Sequence, residues 1–248
     1  NEDQALFHCE KMIREGADII DIGGESSRPG SDEISVEEEL DRISNIVEKI
    51  KLKLDICVSV DTYKPLVAEE VLKLGTDLIN DITGLSYSER IAKLTFEYGS
   101  GLCLMHMRDK PKTMQLNTDY NNVISEIRSF LQDSVEKAIE NGMKKNSIII
   151  DPGIGFGKDL KGNTSILNNL SSFSDLGCGV LIGTSRKSFI GQISGKETGE
   201  RLNGTIASNV IALINGARIF RVHDVKENKD SLLVANEIMR SREVIFEA

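Results

Sequence analysis

Histidine is scarce in this chain: three in 248 residues, with no HxH or HExxH spacing among His8, His106 and His223. A three-ligand zinc centre is therefore not the expectation. Cysteine is sparse as well. Cys9, Cys57, Cys103 and Cys178 form no CxxC pair, and three of them sit in or beside apolar, strand-like runs. Buried free thiols in a reducing compartment, hence a cytoplasmic protein, are the expectation rather than disulfides or a metal cluster. No apolar run approaches the roughly 18 residues needed to span a bilayer, and no signal-peptide pattern opens the sequence. No membrane association is expected. Basic charge is short too, with 30 Lys and Arg against 39 Asp and Glu and a formal net charge of -9. Broad nucleic-acid binding needs a basic face and is not expected. A local cluster of cations can still hold a small anion. Nucleotide fingerprints are missing: "DPGIGFGK" (151–158) is not GxxxxGK[ST] and lacks the position and spacing of a dinucleotide loop.

What the chain does have is a repeating order. Seven apolar runs read as strands buried on both faces: 17–23, 56–61, 77–81, 101–106, 147–151, 179–185 and 217–223. Helical patterns alternate with them. "SVEEELDRISNIVEKI" puts Val36, Leu40, Ile43 and Val47 on one face behind Ser35 as N-cap, with Glu38 three residues on. "VISEIRSFLQDSVEKAIENG" is a long amphipathic helix with Gly142 past its end. Alternation without a composition break implies one α/β domain over 1–248. An open doubly wound sheet and a closed (β/α)8 barrel both fit, and a length near 250 favours the barrel. Eight helices against seven strands leave a barrel one strand short, so a first strand preceding residue 1 is the expectation. Six runs end in a polar residue: Asp61, Asp81, His106, Asp151, Ser185 and His223. In a barrel those ends form the catalytic rim.

The rim segments read as follows. "GGESSRPG" (23–30) is a loop in which Arg28 can clamp a phosphate or carboxylate. Asp61, and Asn80 with Asp81, suit helix N-caps or the reading of a heterocycle equally. Met105 and His106 fit core filling or a site. In "DPGIGFGK" the glycines let the backbone turn over the barrel mouth, leaving Asp151 at the strand end and Phe156 near the rim. "GTSRKSFIG" (183–191) brings Arg186, Lys187 and Ser188 to a helix start, an arrangement suited to an anion. Arg221 and His223 alternate and so point the same way, with Asp224 turned opposite.

Taken in order, "GGESSRPG", "SVDTYKP", "LINDITG", "LMHM", "DPGIGFGK", "GTSRKSFIG" and "RVHDV" resemble the dihydropteroate synthases of folate biosynthesis along the whole chain. The resemblance implies a (β/α)8 barrel, usually a homodimer. Its members join 6-hydroxymethyl-7,8-dihydropterin pyrophosphate to p-aminobenzoate, releasing pyrophosphate, and are the target of sulfonamides. Asp61, Asn80, Asp151 and Lys187 would hydrogen-bond the pterin, with Ile82, Met105, Phe156 and Gly183 around it. Ser27, Arg28, Arg221 and His223 would hold the pyrophosphate. Ser188, beside Lys187, would take the carboxylate of p-aminobenzoate. Ser27 stands where the family usually has Thr, and the hydroxyl is kept. Mg2+ is the implied cofactor, on an Asn of a first strand that would lie before residue 1, so no metal ligand is assigned within the chain. Two other classes compete. A corrinoid-type pterin-binding methyltransferase domain shares the acid and amide readers but handles no pyrophosphate, so "SRKS" and "RVH" discriminate against it. A non-enzymatic pterin-binding barrel is the third reading.

Overall fold

A computed structural model describes residues 2–241. Residue 1 and residues 242–248, the ends of the expected single domain, lie outside the described residues. Seven parallel strands pair in sequence order: β1 (Ile19–Gly23), β2 (Cys57–Asp61), β3 (Leu78–Asp81), β4 (Gly101–Met105), β5 (Ile148–Asp151), β6 (Gly179–Ile182) and β7 (Ile219–Phe220). The described residues also hold nine α-helices: α1 (Glu2–Arg14), α2 (Val36–Lys53), α3 (Pro65–Lys73), α4 (Arg90–Glu97), α5 (Val123–Glu140), α6 (Leu160–Asn168), α7 (Ser188–Ser194), α8 (Leu202–Ile214) and α9 (Val225–Arg240). Eight helices were expected. The count rises to nine because two helices, α7 at the expected start and α8 after it, fill the connection from β6 to β7.

All seven expected strands form, and the last two stop early. The runs 179–185 and 217–223 are strand only over Gly179–Ile182 and Ile219–Phe220. Among the described residues β7 is an edge of the sheet and pairs with β6 alone. The extended backbone nevertheless continues one residue, since the Arg221 amide donates to Ile182 O at 2.9 Å. The two edges face each other across a seam. Arg221, just past β7, reaches Asp21 of β1 with Nε 2.6 Å from Oδ2.

Strand register explains where the core and the site lie. Cys103 of β4 is level with Asn80 of β3 and with Ile149 of β5. Two parallel strands in register send side chains at the same level to the same face. Leu78, Cys103, Ile149, Leu181 and Ile219 accordingly pack as a small apolar plug inside the curl. The opposite faces of the strands join the helices in the main core, which includes Val58, Val60, Leu102, Leu104, Ile150 and Val180. Two residues further along each strand the inward positions become Asp61, Asn80, Met105 and Asp151. The plug is thus the floor beneath the polar layer. α2 begins as expected: Ser35 Oγ accepts from Glu38 N at 3.1 Å, while Glu38 turns to Arg42 instead of closing a capping box.

Candidate active site

One cavity of about 780 Å3 opens above that floor and runs outward through the seam between β1 and β7. Asp61, Asn80, Ile82, Met105, Asp151, Phe156, Gly183 and Lys187 all line it, as do Ser27, Arg221 and His223. Two expected residues stand outside its lining. Arg28 is exposed on the loop after β1, and Ser188 is exposed at the first turn of α7.

Alternation decides between the two readings of "ND". Asn80 is level with Asp61 and faces inward with it. Asp81 points the other way and is consumed by its own turn: Oδ1 accepts from Thr83 N and Oγ1 at 2.8 and 2.7 Å, and Oδ2 from Leu85 N at 2.9 Å. Asp81 is structural. Asp61, Asn80 and Asp151 are each less than a tenth exposed. Burial, then the neighbouring Asp21, pushes the Asp61 carboxyl up to about 7, with Arg221 pulling the other way. Its Oδ2 lies 3.5 Å from Arg221. Burial also raises Asp151, opposed by Lys187 and by the Gly153 amide, which donates to Oδ1 at 2.7 Å. Burial presses Lys187 down to about 8 against the pull of Asp151. Its ammonium donates to Ile154 O and sits 4.6 Å above the Phe156 ring.

The loop "DPGIGFGK" is held by its glycines and its lysine. Gly153 has φ 72°, and a Cβ there would meet His106 O at 2.0 Å, so only glycine lets this turn pass the end of β4. Lys158 closes the loop from beneath. Its Nζ donates to Phe156 O at 2.9 Å and His106 O at 3.1 Å, and faces His106 Nδ1 at 2.9 Å. Burial presses the Lys158 value well down as well, against the pull of Asp151. Burial, then Lys158, pushes the His106 value down to about 2. His106 is therefore a staple between two loops.

At the rim, Ser185 sets His223. Ser185 Oγ accepts from the His223 amide at 3.2 Å and lies 2.8 Å from Nδ1. The hydroxyl has one hydrogen, and assigning it to Nδ1 makes Nε2–H the free donor of a neutral ring. Burial, then Arg221, lowers the His223 value, in keeping with that neutral form. Arg186 corrects an expectation. It is not a free anion-binding cation: its Nε donates to Asp224 Oδ2 at 3.0 Å, and its amide to Thr205 Oγ1 at 3.0 Å. Its φ of 55° makes the turn that presents Lys187 and Ser188. The helix that follows, α7, has seven residues, so its dipole adds little to an anion site there.

Sequence reasoning missed Asp21 and Lys158. Asp21 was detectable, as the one charge inside the apolar run "IIDIG". It lies level with Ser59, one layer below Asp61, and anchors Arg221. Its Oδ1 is buried without a partner. Lys158 gave no local signal, because its partner His106 is 52 residues away.

Acid and amide readers on the floor and cations at the rim, on the C-terminal ends of parallel strands, define an α/β-barrel enzyme for a flat polar heterocycle bearing an anionic group. The comparisons agree. The model of the family described as "Pterin binding enzyme" matches residues 1–223. Dihydropteroate synthase of Haemophilus influenzae is 44% identical over 232 residues, 94% of this chain and 84% of that protein. The Yersinia pestis dihydropteroate synthase, solved with a sulfonamide drug complex, superposes with a TM-score of 0.93 at 41% identity, covering 97% of this chain and 87% of that one. The Thermus thermophilus enzyme in complex with 4-aminobenzoate gives 0.88 at 41% identity, covering 95% and 90%. The chain belongs to the dihydropteroate synthase family of pterin-binding enzymes.

Proposed function

We propose that this chain condenses 6-hydroxymethyl-7,8-dihydropterin pyrophosphate with p-aminobenzoate, giving 7,8-dihydropteroate and pyrophosphate. The observation that carries the reading is that a single cavity holds the buried Asp61, Asn80 and Asp151 and the half-buried Lys187 beside the rim groups Arg221, His223 and Ser27. Pterin N–H groups suit the carboxylates and the Asn80 carbonyl, and its oxygen and ring nitrogen suit Lys187 and the Asn80 amide. Ile82, Met105 and Phe156 supply the flat apolar walls.

The C–O bond at the pterin methylene breaks and its electron pair leaves with pyrophosphate. Arg221, the Nε2–H of His223 and the Ser27 hydroxyl face that anion, and Arg28 assists from its loop. Charge neutralisation placed where negative charge develops lowers the barrier. The electron-rich dihydropterin carries the positive charge left behind, and Asp61 and Asp151 favour it. A cation over Asp61 also draws that carboxyl back to its ionised form. The arylamine lone pair then attacks the methylene carbon and the nitrogen loses a proton. Ser188 receives the aryl carboxylate. A sulfonamide, which presents an arylamine and a polar group in the same places, occupies that second-substrate position.

Three further readings belong to the proposal. Mg2+ is the expected cofactor, but among the described residues no group of three His, Cys, Asp or Glu is arranged to hold a metal. Asp21 Oδ1, the orphaned oxygen near the anion end, is sealed from solvent. The residues at hand do not fit a protein-held ion, and no step above passes through one. A homodimer through α8 and α9 is favoured by the exposed Ile211, Ile214, Leu233, Val234 and Ile238, since monomers seldom expose such patches. A cytoplasmic location is favoured by four free cysteines. The activity is tested by incubating the purified chain with both substrates. Stoichiometric dihydropteroate and pyrophosphate are expected. Tight pterin binding without product would leave only a binding barrel.

A further inference from the structure

The loop between β1 and α2 carries Ser27 and Arg28, yet it has little apolar packing of its own. Two consecutive side chains just past β2 hold both its ends. At its start, Glu25 Oε1 accepts from the Tyr63 hydroxyl at 2.8 Å, and Glu25 Oε2 accepts from Lys64 Nζ at 2.6 Å. At its far end, Lys64 Nζ donates to Ile34 O at 2.6 Å, and Glu25 Oε2 accepts from Ile34 N at 3.1 Å. The third donor of Lys64 goes to Glu39 of α2, whose Oε2 is 2.8 Å away. All three ammonium donors are thus engaged, and Lys64 is 6% and Glu39 1% exposed. Glu33 Oε1 also lies 3.0 Å from the Tyr63 hydroxyl. One phenol has one hydrogen, so it serves the nearer Glu25, and Glu33 shares the charge of Lys110 at 3.6 Å.

The other end of Tyr63 lies elsewhere. Its ring packs with Ile82 and Met105, two walls of the cavity described above. It also meets Tyr87 edge-on at 5.0 Å. One residue thus touches the apolar wall of the pterin side with its ring and the anion-side loop with its hydroxyl. Nothing in the condensation derived above uses Tyr63, Lys64, Glu25 or Glu39.

We propose that Tyr63 and Lys64 are positioning residues that clamp the two ends of the 24–34 loop, so that the anion side of the cavity is set from the pterin wall. The proposal rests on the condensation reading for its ligand-affinity consequence only. The clamp itself is a statement about the loop. Filling the pterin side presses Ile82 and Met105 against the Tyr63 ring and steadies the hydroxyl on Glu25. The loop with Ser27 and Arg28 is thereby held at the anion side of the cavity.

Tyr63→Phe is the decisive variant, because it keeps the ring and removes the hydroxyl that donates to Glu25 Oε1. Lys64→Met would leave two buried carboxylates without a cation and is expected to fail to fold in part. In the full chain, Tyr63→Phe is expected to weaken binding of the pyrophosphorylated pterin about tenfold, because Ser27 and Arg28 ride the loop whose tie to Tyr63 is lost. The affinity for a bare pterin analogue should stay within about twofold of the parent, since the ring packing is retained. Amide hydrogen exchange should quicken over residues 24–34 and stay unchanged in β4 and β5. A purely structural role would lower the melting temperature and leave the ligand affinities of the folded protein alone. Unchanged exchange over 24–34 overturns the proposal, as does an equal loss for the bare and the pyrophosphorylated pterin. Should the parent chain form no product, the condensation reading falls, and the exchange comparison alone decides the clamp.

Discussion

The floor and the rim of the cavity are built in different ways. On the floor, Asp61, Asn80 and Asp151 leave the C-terminal ends of paired strands, each two residues past an inward position of its own strand, and the strand pairing fixes where they stand beside the apolar plug. At the rim, Ser27 and Arg28 ride a loop fixed by side-chain bonds to Tyr63 and Lys64. Ser188 stands exposed at a short helix, behind a turn locked by Arg186 and Asp224. A site made by backbone pairing is present before ligand arrives. One made by polar ties across loops is adjustable, and belongs to the lower-stability end of the molecule. The difference matches two substrates with different demands: a rigid heterocycle read by fixed donors and acceptors, and an anionic side that must admit one ligand and release another.

The sharpest way to break this comparison is to damage the floor. Asp151→Ala should weaken binding of a bare pterin analogue by about 1.5–3 kcal/mol, the scale of hydrogen bonds to a charged group, and leave Lys187 without its countercharge. Unchanged affinity by calorimetry would remove Asp151 from the floor. Next in size is pH. Below about 7 Asp61 is protonated and cannot favour a cation, so kcat/KM should climb as pH rises through that value. Above about 8 Lys187 loses its proton and the rate should fall again. Each limb should approach about tenfold per pH unit, as expected of groups in the free enzyme. Asp61→Asn should flatten the rising limb only, and a parent profile flat from pH 6 to 9 would contradict both assignments. The smallest effect belongs to the rim. Ser188→Ala removes one exposed hydroxyl and should raise the KM for p-aminobenzoate by about three- to tenfold, with pterin affinity intact. Damage appearing in the pterin KM instead would mean that floor and rim are not separate.

The same division governed what the sequence revealed. Strands buried on both faces are continuous apolar runs, so all seven were visible, and their polar ends marked the floor. Alternation then settles what spacing left open: Asn80 faces in and Asp81 faces out. The helix start at Ser188 was legible, but not that this helix ends after seven residues, at Ser194, and is followed by a second one. The ties of the rim were not legible, because each joins residues far apart in sequence. Tyr63 and Glu25 are separated by 38 positions, and Arg221 and Asp21 by 200. Arg186 looked like a free cation for that reason, since its partner Asp224 follows 38 residues later. Asp21 was the exception, a charge inside an apolar strand, which local reading can find.

Arg221 joins the two regions, held by Asp21 beside the floor while lining the cavity at the rim. Calorimetry of Arg221→Ala with two ligands, the bare pterin and the pyrophosphorylated pterin, therefore tests the division most directly. A loss at least about tenfold larger for the pyrophosphorylated ligand is expected, since only that ligand forms charge-assisted bonds to the guanidinium. Equal losses for both would place Arg221 on the pterin ring or in the folding of the barrel, and would contradict a separate anion side.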